Sequence, residues 1–179
     1  RDPHEVLYDE MLELDGKALL MVALVGYHDG DLEAMREMIE HPDSAFGLGD
    51  GGAHAGAICD ASMTTYLLTH WARDRKRGPK FPIEFAVKKM TKDTAELYGL
   101  NDRGLLKEGY KADLNVIDFD KLRLDLPYLV NDLPGGAKRL IQKAEGYTAT
   151  IVSGEVTFRN GEETGARPGA VIRGMQSPG

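Results

Sequence analysis

Sulfur chemistry is almost absent from this sequence. Cys59 is the single cysteine among 179 residues, so the chain can form no intrachain disulfide and no cysteine-based zinc site of its own. One cysteine fits a reducing compartment, and we therefore expect a cytoplasmic protein. Long apolar runs are lacking too, because none approaches the ~18 to 20 residues that a membrane-spanning helix needs.

An excess of positive charge is also missing. The formal net charge is -7, whereas a nucleic-acid surface needs a basic patch. We therefore expect neither nucleic acid nor a membrane as a partner. The sequence opens at Arg1 without a methionine or a signal-peptide pattern, so we expect it to be a piece of a longer polypeptide.

The first half alternates between helical and strand-like patterns. The continuous apolar run at residues 18–25 predicts a strand buried on both faces, as in a parallel sheet, and residues 45–48 predict a second, shorter strand. The spacing of apolar residues and the capping signals, among them Asp2 as N-cap and Pro3 at the first helical position, predict helices at residues 2–15, 31–40, 58–73, 82–90 and 93–98. A complete (β/α)8 barrel needs about 250 residues. The pattern therefore indicates the last quarter of such a barrel or the edge of an open α/β sheet.

The second half changes character near Leu100, where glycine, turn residues and alternating apolar residues take over. Residues 111–118 predict a strand, whereas residues 121–146 give no clear pattern. Residues 147–152 and 155–159 predict two more strands, joined by a hairpin turn at Ser153-Gly154. The whole chain is therefore expected to be of the α/β class.

The segment 49–54, rich in glycine, is the best candidate for chemistry. A carboxylate such as Asp50, at the C-terminal end of a parallel strand, lies at the mouth of the sheet. There it can bind a divalent metal and accept a proton from metal-bound water, while Gly51 and Gly52 allow close approach to the backbone. A helix cap or a plain turn is the simpler interpretation from spacing alone. His54 is a weaker candidate for substrate binding, with a loop histidine bonded to backbone as the alternative.

Several motifs resemble the metal-dependent amidohydrolase superfamily in sequence and in order. Residues 46–54 and 95–100 are similar to the end of that superfamily's barrel. Residues 103–118 contain G-x-L-x-x-G-x-x-A-D-L-x-V and resemble the re-entry into its β-sandwich, and residues 152–156 resemble the late hairpin. The chain looks most like the N-acyl-D-amino-acid deacylase (D-aminoacylase-like) branch. Residues 148–174 closely resemble the C-terminal end of that branch.

The resemblance implies both a fold and a reaction. Residues 1–99 would be the last βα units of a (β/α)8 barrel, and residues 100–179 would be β-sandwich strands with a C-terminal tail. The enzyme would hydrolyse the amide bond of N-acyl-D-amino acids with zinc or another divalent metal. Asp50 would lie by the metal, orient the attacking water and pass its proton to the leaving amine, and Gly51, Gly52 and His54 would contact the small-molecule substrate.

Two departures from the family qualify that implication. The family's His-x-His pattern does not occur, so we expect the remaining metal ligands upstream of residue 1, in a missing N-terminal portion without which this chain is inactive. D-aminoacylases also place an arginine shortly after the catalytic aspartate to hold the substrate carboxylate, yet no Lys or Arg occurs between Asp50 and Arg73. Either that cation comes from elsewhere or the substrate differs.

Other interpretations remain open from the sequence. A cyclic-amide hydrolase of the dihydroorotase or hydantoinase kind would share the same motifs, and a non-catalytic fragment would share the same fold. An incomplete barrel also exposes strand edges and apolar faces, which favour association into a homo-oligomer.

Overall fold

The computed structural model describes residues 1–22, 25–27, 29–47, 49–50 and 52–179. The chain divides into two compact units, residues 1–42 and residues 43–179. Each unit is described by itself below.

The first unit contains two helices. Helix α1 (Pro3–Gly16) begins where Asp2 Oδ1 accepts a hydrogen bond from the backbone N–H of His4 at 2.7 Å. Asp2 therefore caps the helix, and Pro3 occupies the first helical position, as the sequence predicts. Helical geometry is lost before Gly16, since the preceding two residues have positive φ angles. Every residue of α1 is exposed, so the helix leaves its apolar side chains uncovered within this unit.

Helix α2 (Glu33–Glu40) is shorter and held mainly by local charges. Asp31 Oδ1 accepts a hydrogen bond from the N–H of Glu33 at 2.9 Å, which satisfies one free donor of the first turn. Arg36 pairs with Glu33 and with Glu40 on the same face. Ile39 is the buried residue of the helix, in agreement with the predicted apolar stripe.

The predicted parallel strands are absent from the described residues, which is a correction to the sequence expectation. Residues 18–22 and 45–47 form no strand, and Met21 and Val25 are 92 % and 88 % exposed. The other members of the two predicted strands, Ala23, Leu24 and Leu48, lie outside the described residues. A parallel strand needs a neighbour brought in by a crossover, and every strand ladder in the described residues is antiparallel and lies beyond residue 113. The described part of the chain therefore contains no parallel sheet and no closed barrel.

Helices dominate the first part of the second unit. Residues 60–74 form one continuous helical segment whose winding changes from 3-10 (Asp60–Ser62) to α (α3, Met63–Tyr66) and then to a π-helix (Leu67–Asp74). The segment buries Leu67, Leu68 and Trp71. Helix α4 (Ile83–Met90) and helix α5 (Lys92–Leu97) follow. The ring of Phe81, just before α4, stacks on Trp71 at 5.5 Å, so aromatic packing joins α4 to the π-helix.

The last part of the chain forms antiparallel strands. Four of them make one sheet in the order β1-β6-β7-β8, with bounds Leu114–Ile117 (β1), Tyr147–Val152 (β6), Glu155–Arg159 (β7) and Glu162–Glu163 (β8). The predicted bounds of β6 and β7, and their hairpin, are confirmed. The remaining strands pair two by two, with bounds Arg123–Leu124 (β2) and Ala144–Glu145 (β5), and Tyr128–Leu133 (β3) and Ala137–Ile141 (β4).

Asp113, from the A-D motif of the sequence, joins three segments of this unit. Its Oδ2 receives a hydrogen bond from Arg103 at 3.1 Å, and its Oδ1 receives one from the N–H of Ser153 at 2.8 Å. Arg103 also binds the buried carboxylate of Asp102, and this hydrogen bond holds the pKa of Asp102 below its usual value. Ser153 lies in the β6–β7 turn with φ of 50°. The motif therefore fixes the start of β1 to the hairpin beside it.

Candidate functional site

The loop that carries Asp50 folds as a series of tight turns. The N–H of Ala53 donates to the carbonyl oxygen of Asp50 at 3.1 Å, and the carbonyl of His54 accepts from Ala57 at 2.7 Å. Asp50 and His54 have φ angles of 46° and 47°, a left-handed conformation that is uncommon for residues other than glycine, although Asp, Asn and His adopt it more often than most. Two such residues four positions apart mark this loop as a site where backbone strain is maintained by its surroundings.

Close backbone packing fixes the entry to this loop. A Cβ atom at Gly49 would lie 2.6 Å from the carbonyl oxygen of Asp60 and 2.9 Å from the Cα of Ala61. Only glycine permits this approach, because the obstructing atoms are backbone. Upstream, the carbonyl of Phe46 accepts a hydrogen bond from Thr94 Oγ1 at 3.2 Å. Asp50 is thus attached to a segment held against the start of the 60–74 helical segment and against α5.

The described members of the predicted site, Asp50, Gly52 and His54, lie on one loop. The side chains of Asp50 and His54 are both exposed. The glycine at position 52 has φ of 94° and open space where a side chain would be. Gly51 lies outside the described residues. The carboxylate of Asp50 makes no hydrogen bond to any other described residue, so its oxygens are available to an incoming group.

The described residues do not by themselves form a metal centre. Among them, no three His, Cys, Asp or Glu side chains lie close enough together to hold a metal ion. Zinc needs about three protein ligands, and Asp50 is a single carboxylate. Burial raises the pKa of the Cys59 thiol, which disfavours the thiolate that metals bind. The missing ligands are expected upstream of residue 1, and this remains a prediction.

A hairpin that the sequence left unassigned lies against the Asp50 loop. The N–H of Leu140, in β4, donates to the carbonyl of Ala55 at 2.6 Å. Beyond the end of β4, the side chain of Gln142 accepts a hydrogen bond from Ser62 Oγ. The side chain of Lys138 reaches the backbone at Gly56, where an added Cβ would lie 3.8 Å from Lys138 Cε. The sequence indicates such a neighbour only indirectly, because the loop itself contains no Lys or Arg.

The histidine of the π-helix is a packing residue. The ring of His70 stacks on Tyr66 at 4.7 Å and meets Trp71 edge-on at 5.3 Å. Its Nε2 atom is buried and has no hydrogen-bond partner among the described residues. Burial, reinforced by the nearby Arg75 guanidinium, lowers the pKa of His70. The neutral ring therefore belongs to the aromatic core.

Comparison with known proteins agrees with the motif order. The family model described as "Amidohydrolase family" matches residues 8–158, most of the chain. The chain belongs to the amidohydrolase family. Within this family, it is similar to an N-acyl-D-aspartate deacylase of Alcaligenes xylosoxydans xylosoxydans, with 41 % identity over 91 residues, or 50 % of this chain and 16 % of that protein. A D-aminoacylase of the same organism is 36 % identical over 106 residues, or 59 % of this chain and 19 % of that protein.

These amidohydrolase relatives are much longer than the matched region. The matched stretches span less than a fifth of either relative. No solved structure matches the chain. Among the described residues, none of the helices has both the length and the apolar character to cross a membrane.

Proposed function

We propose that this chain is the C-terminal portion of a metal-dependent amidohydrolase that hydrolyses the amide bond of N-acyl-D-amino acids. Family membership and the similarity to two deacylases support this proposal. The observation that carries it is the placement of Asp50. Its side chain is exposed and its backbone is left-handed, with φ of 46°. The preceding residue, Gly49, packs against the backbone of Asp60 and Ala61.

The chemistry of amide hydrolysis assigns a role to that carboxylate. The reaction needs a polarised carbonyl, an activated water and a proton for the departing nitrogen. Asp50 is proposed to accept the proton of the attacking water and then to deliver it to the leaving amine. One carboxylate can act first as base and then as acid, because the proton that it accepts from water is the proton that it delivers to the nitrogen. Gly51, Gly52 and His54 are proposed to contact the substrate beside it.

The rest of the catalytic site is proposed to lie outside these residues. The described part of the chain does not form a metal centre, so the other ligands of a divalent metal would come from sequence upstream of residue 1, with Asp50 contributing one. The uncovered side chains of α1 and of Met21, Val22 and Val25 are consistent with a (β/α)8 barrel completed by that sequence. The antiparallel strands from β1 onward would then belong to its β-sandwich.

The decisive experiment is Asp50→Asn in the complete gene product, assayed with N-acetyl-D-aspartate and N-acetyl-D-alanine. Loss of a positioned acid–base group lowers turnover by about 10²- to 10⁴-fold, and we expect a kcat decrease in that range. The matched control is Asp60→Asn, because this second exposed carboxylate lies ten residues further along the chain. We expect the control to keep its kcat.

Substrate choice separates the alternatives. A complete gene product that opens hydantoin or dihydroorotate but leaves both N-acetyl-D-amino acids intact would be a cyclic-amide hydrolase. Turnover of neither class would favour the non-catalytic interpretation. Unchanged kcat in Asp50→Asn would remove this carboxylate from the mechanism.

A further inference from the structure

The Asp50 loop lacks the positive charge that its proposed substrate requires. An N-acylated amino acid bears a carboxylate, yet no Lys or Arg occurs between Asp50 and Arg73. The guanidinium of Arg73 already forms an ion pair with Asp74 and donates hydrogen bonds to the carbonyls of Phe119 and Leu122. A cation for the substrate must therefore come from another segment, and the inference below rests on the proposed function.

The β3–β4 hairpin adjoins this loop in space. Its strand β4 donates the Leu140 N–H to the carbonyl of Ala55 at 2.6 Å, five residues beyond Asp50. A second hydrogen bond, from Ser62 to Gln142, ties the end of β4 to the same part of the chain. These two hydrogen bonds hold the hairpin against the loop, so the side chains of the hairpin have defined positions there.

The hairpin presents two adjacent cations, and only one of them is available. Arg139 makes two hydrogen bonds of 2.7 Å to the two carboxylate oxygens of Asp132, a bidentate pair that occupies its guanidinium. The exposed Lys138 makes no hydrogen bond or ion pair with the described residues. Alternate residues of a strand point to opposite faces, so Lys138 and Arg139 cannot exchange roles without a change of register.

We propose that Lys138 binds the substrate carboxylate and thereby selects anionic N-acyl amino acids. Its stem lies against Gly56, where the lack of a side chain leaves Lys138 Cγ and Cε at 3.9 and 3.8 Å from the Cβ position. An ammonium group is a compact charge on a flexible four-carbon stem, and it can form a charge-assisted hydrogen bond to a carboxylate. The ion pair would orient the amide toward Asp50 without taking part in proton transfer.

The test compares Lys138→Met, Lys138→Arg and the control Lys143→Met in the complete gene product. Lys143 is an exposed lysine two residues beyond the end of β4, so its replacement makes the same change in charge and length away from the loop. N-acetyl-D-alanine is the probe with a carboxylate, and N-acetyl-D-alaninamide is the neutral probe of the same shape. Steady-state kinetics on both, and calorimetric binding of N-acetyl-D-alanine, are the readouts.

For Lys138→Met we expect the KM of N-acetyl-D-alanine to rise about tenfold or more, the range for loss of a charged hydrogen bond. Its kcat should not change, because the contact is the same in the ground state and the transition state. The amide probe should be unaffected, Lys138→Arg should restore most of the binding, and Lys143→Met should resemble the wild type. Equal effects on both probes, or none on either, would overturn the role of Lys138.

Failure of the proposed function gives a different result. If the wild type hydrolyses neither probe, the deacylase assignment fails, whereas calorimetry still decides the role of Lys138. Tighter binding of N-acetyl-D-alanine by the wild type than by Lys138→Met would then support a carboxylate site. Equal binding by the two proteins would reject it.

Discussion

Two apolar segments of this chain, residues 18–25 and strand β6 (Tyr147–Val152), have opposite outcomes. The sequence predicts a strand for both segments. Strand β6 pairs with β1 on one side and with β7 on the other, and Ala149 at its centre is buried. The described residues of 18–25 form no ladder, and Val22 is 73 % exposed. The difference lies in where each segment finds its partner.

An antiparallel hairpin supplies its own partner a few residues away, whereas a parallel strand depends on segments far along the chain. The turn at Ser153-Gly154 therefore suffices to place β7 beside β6. No comparable neighbour for residues 18–25 occurs in the described residues. The strand-rich end of the chain thus contains the partners of its own strands, whereas the described residues of the apolar run pair with no strand.

Replacing a leucine in each of these two regions should change the free energy of unfolding by very different amounts. Leu122, next to the strand-rich core, is fully buried, so Leu122→Ala in the 179-residue chain should lower the free energy of unfolding by about 2–5 kcal/mol. Leu20, which is 47 % exposed in the apolar run, should lose much less on replacement by Ala. Urea denaturation followed by circular dichroism measures both.

The same two variants can be compared in the complete gene product. If upstream sequence completes a barrel around residues 18–25, Leu20→Ala should become costly there while the cost of Leu122→Ala stays the same. A large cost for Leu20→Ala already in the 179-residue chain would mean that the run is packed without any added partner.

Local signals account for the parts of the structure that the sequence predicted well. The cap at Asp2, the bounds of β6 and β7, and helix α4 (Ile83–Met90) each depend on turn residues, capping or periodicity within a few positions. The family assignment is also confirmed, because it rests on the order of short motifs.

Features set by distant contacts were harder to predict. Residues 121–146 gave no clear pattern, yet they form β2 to β5 and place Lys138 against the loop at Gly56. Nothing in the spacing of that segment indicates that Ala55 accepts a hydrogen bond from Leu140. For the candidate site, Asp50 and its loop stay a prediction from the sequence, which gave no indication of the hairpin beside them.

The contacts of Asp113 offer a test of intermediate size within the strand-rich region. Replacement by Ala removes the acceptor of the Ser153 N–H and one partner of Arg103. We expect a loss of about 1–3 kcal/mol in the free energy of unfolding, the range for hydrogen bonds that involve a charged group. Glu155→Ala is the control, because this exposed carboxylate starts β7 next to the same turn. Similar losses in both variants would show that the turn alone holds the hairpin.

The smallest expected effect concerns pH and the helical part of the second unit. Burial lowers the pKa of His70 in the folded chain, while the unfolded chain keeps a value near 6.5. The unfolded state then binds more protons, so the contribution of His70 to stability is complete above about pH 6.5 and falls as the pH drops toward the folded pKa.

We therefore expect the urea midpoint of the wild type to fall between pH 7.5 and pH 5.5 by more than that of His70→Phe, which keeps an aromatic ring between Tyr66 and Trp71. An identical pH dependence in wild type and His70→Phe would show that water reaches Nε2 in the folded chain and that burial does not lower the pKa of this ring.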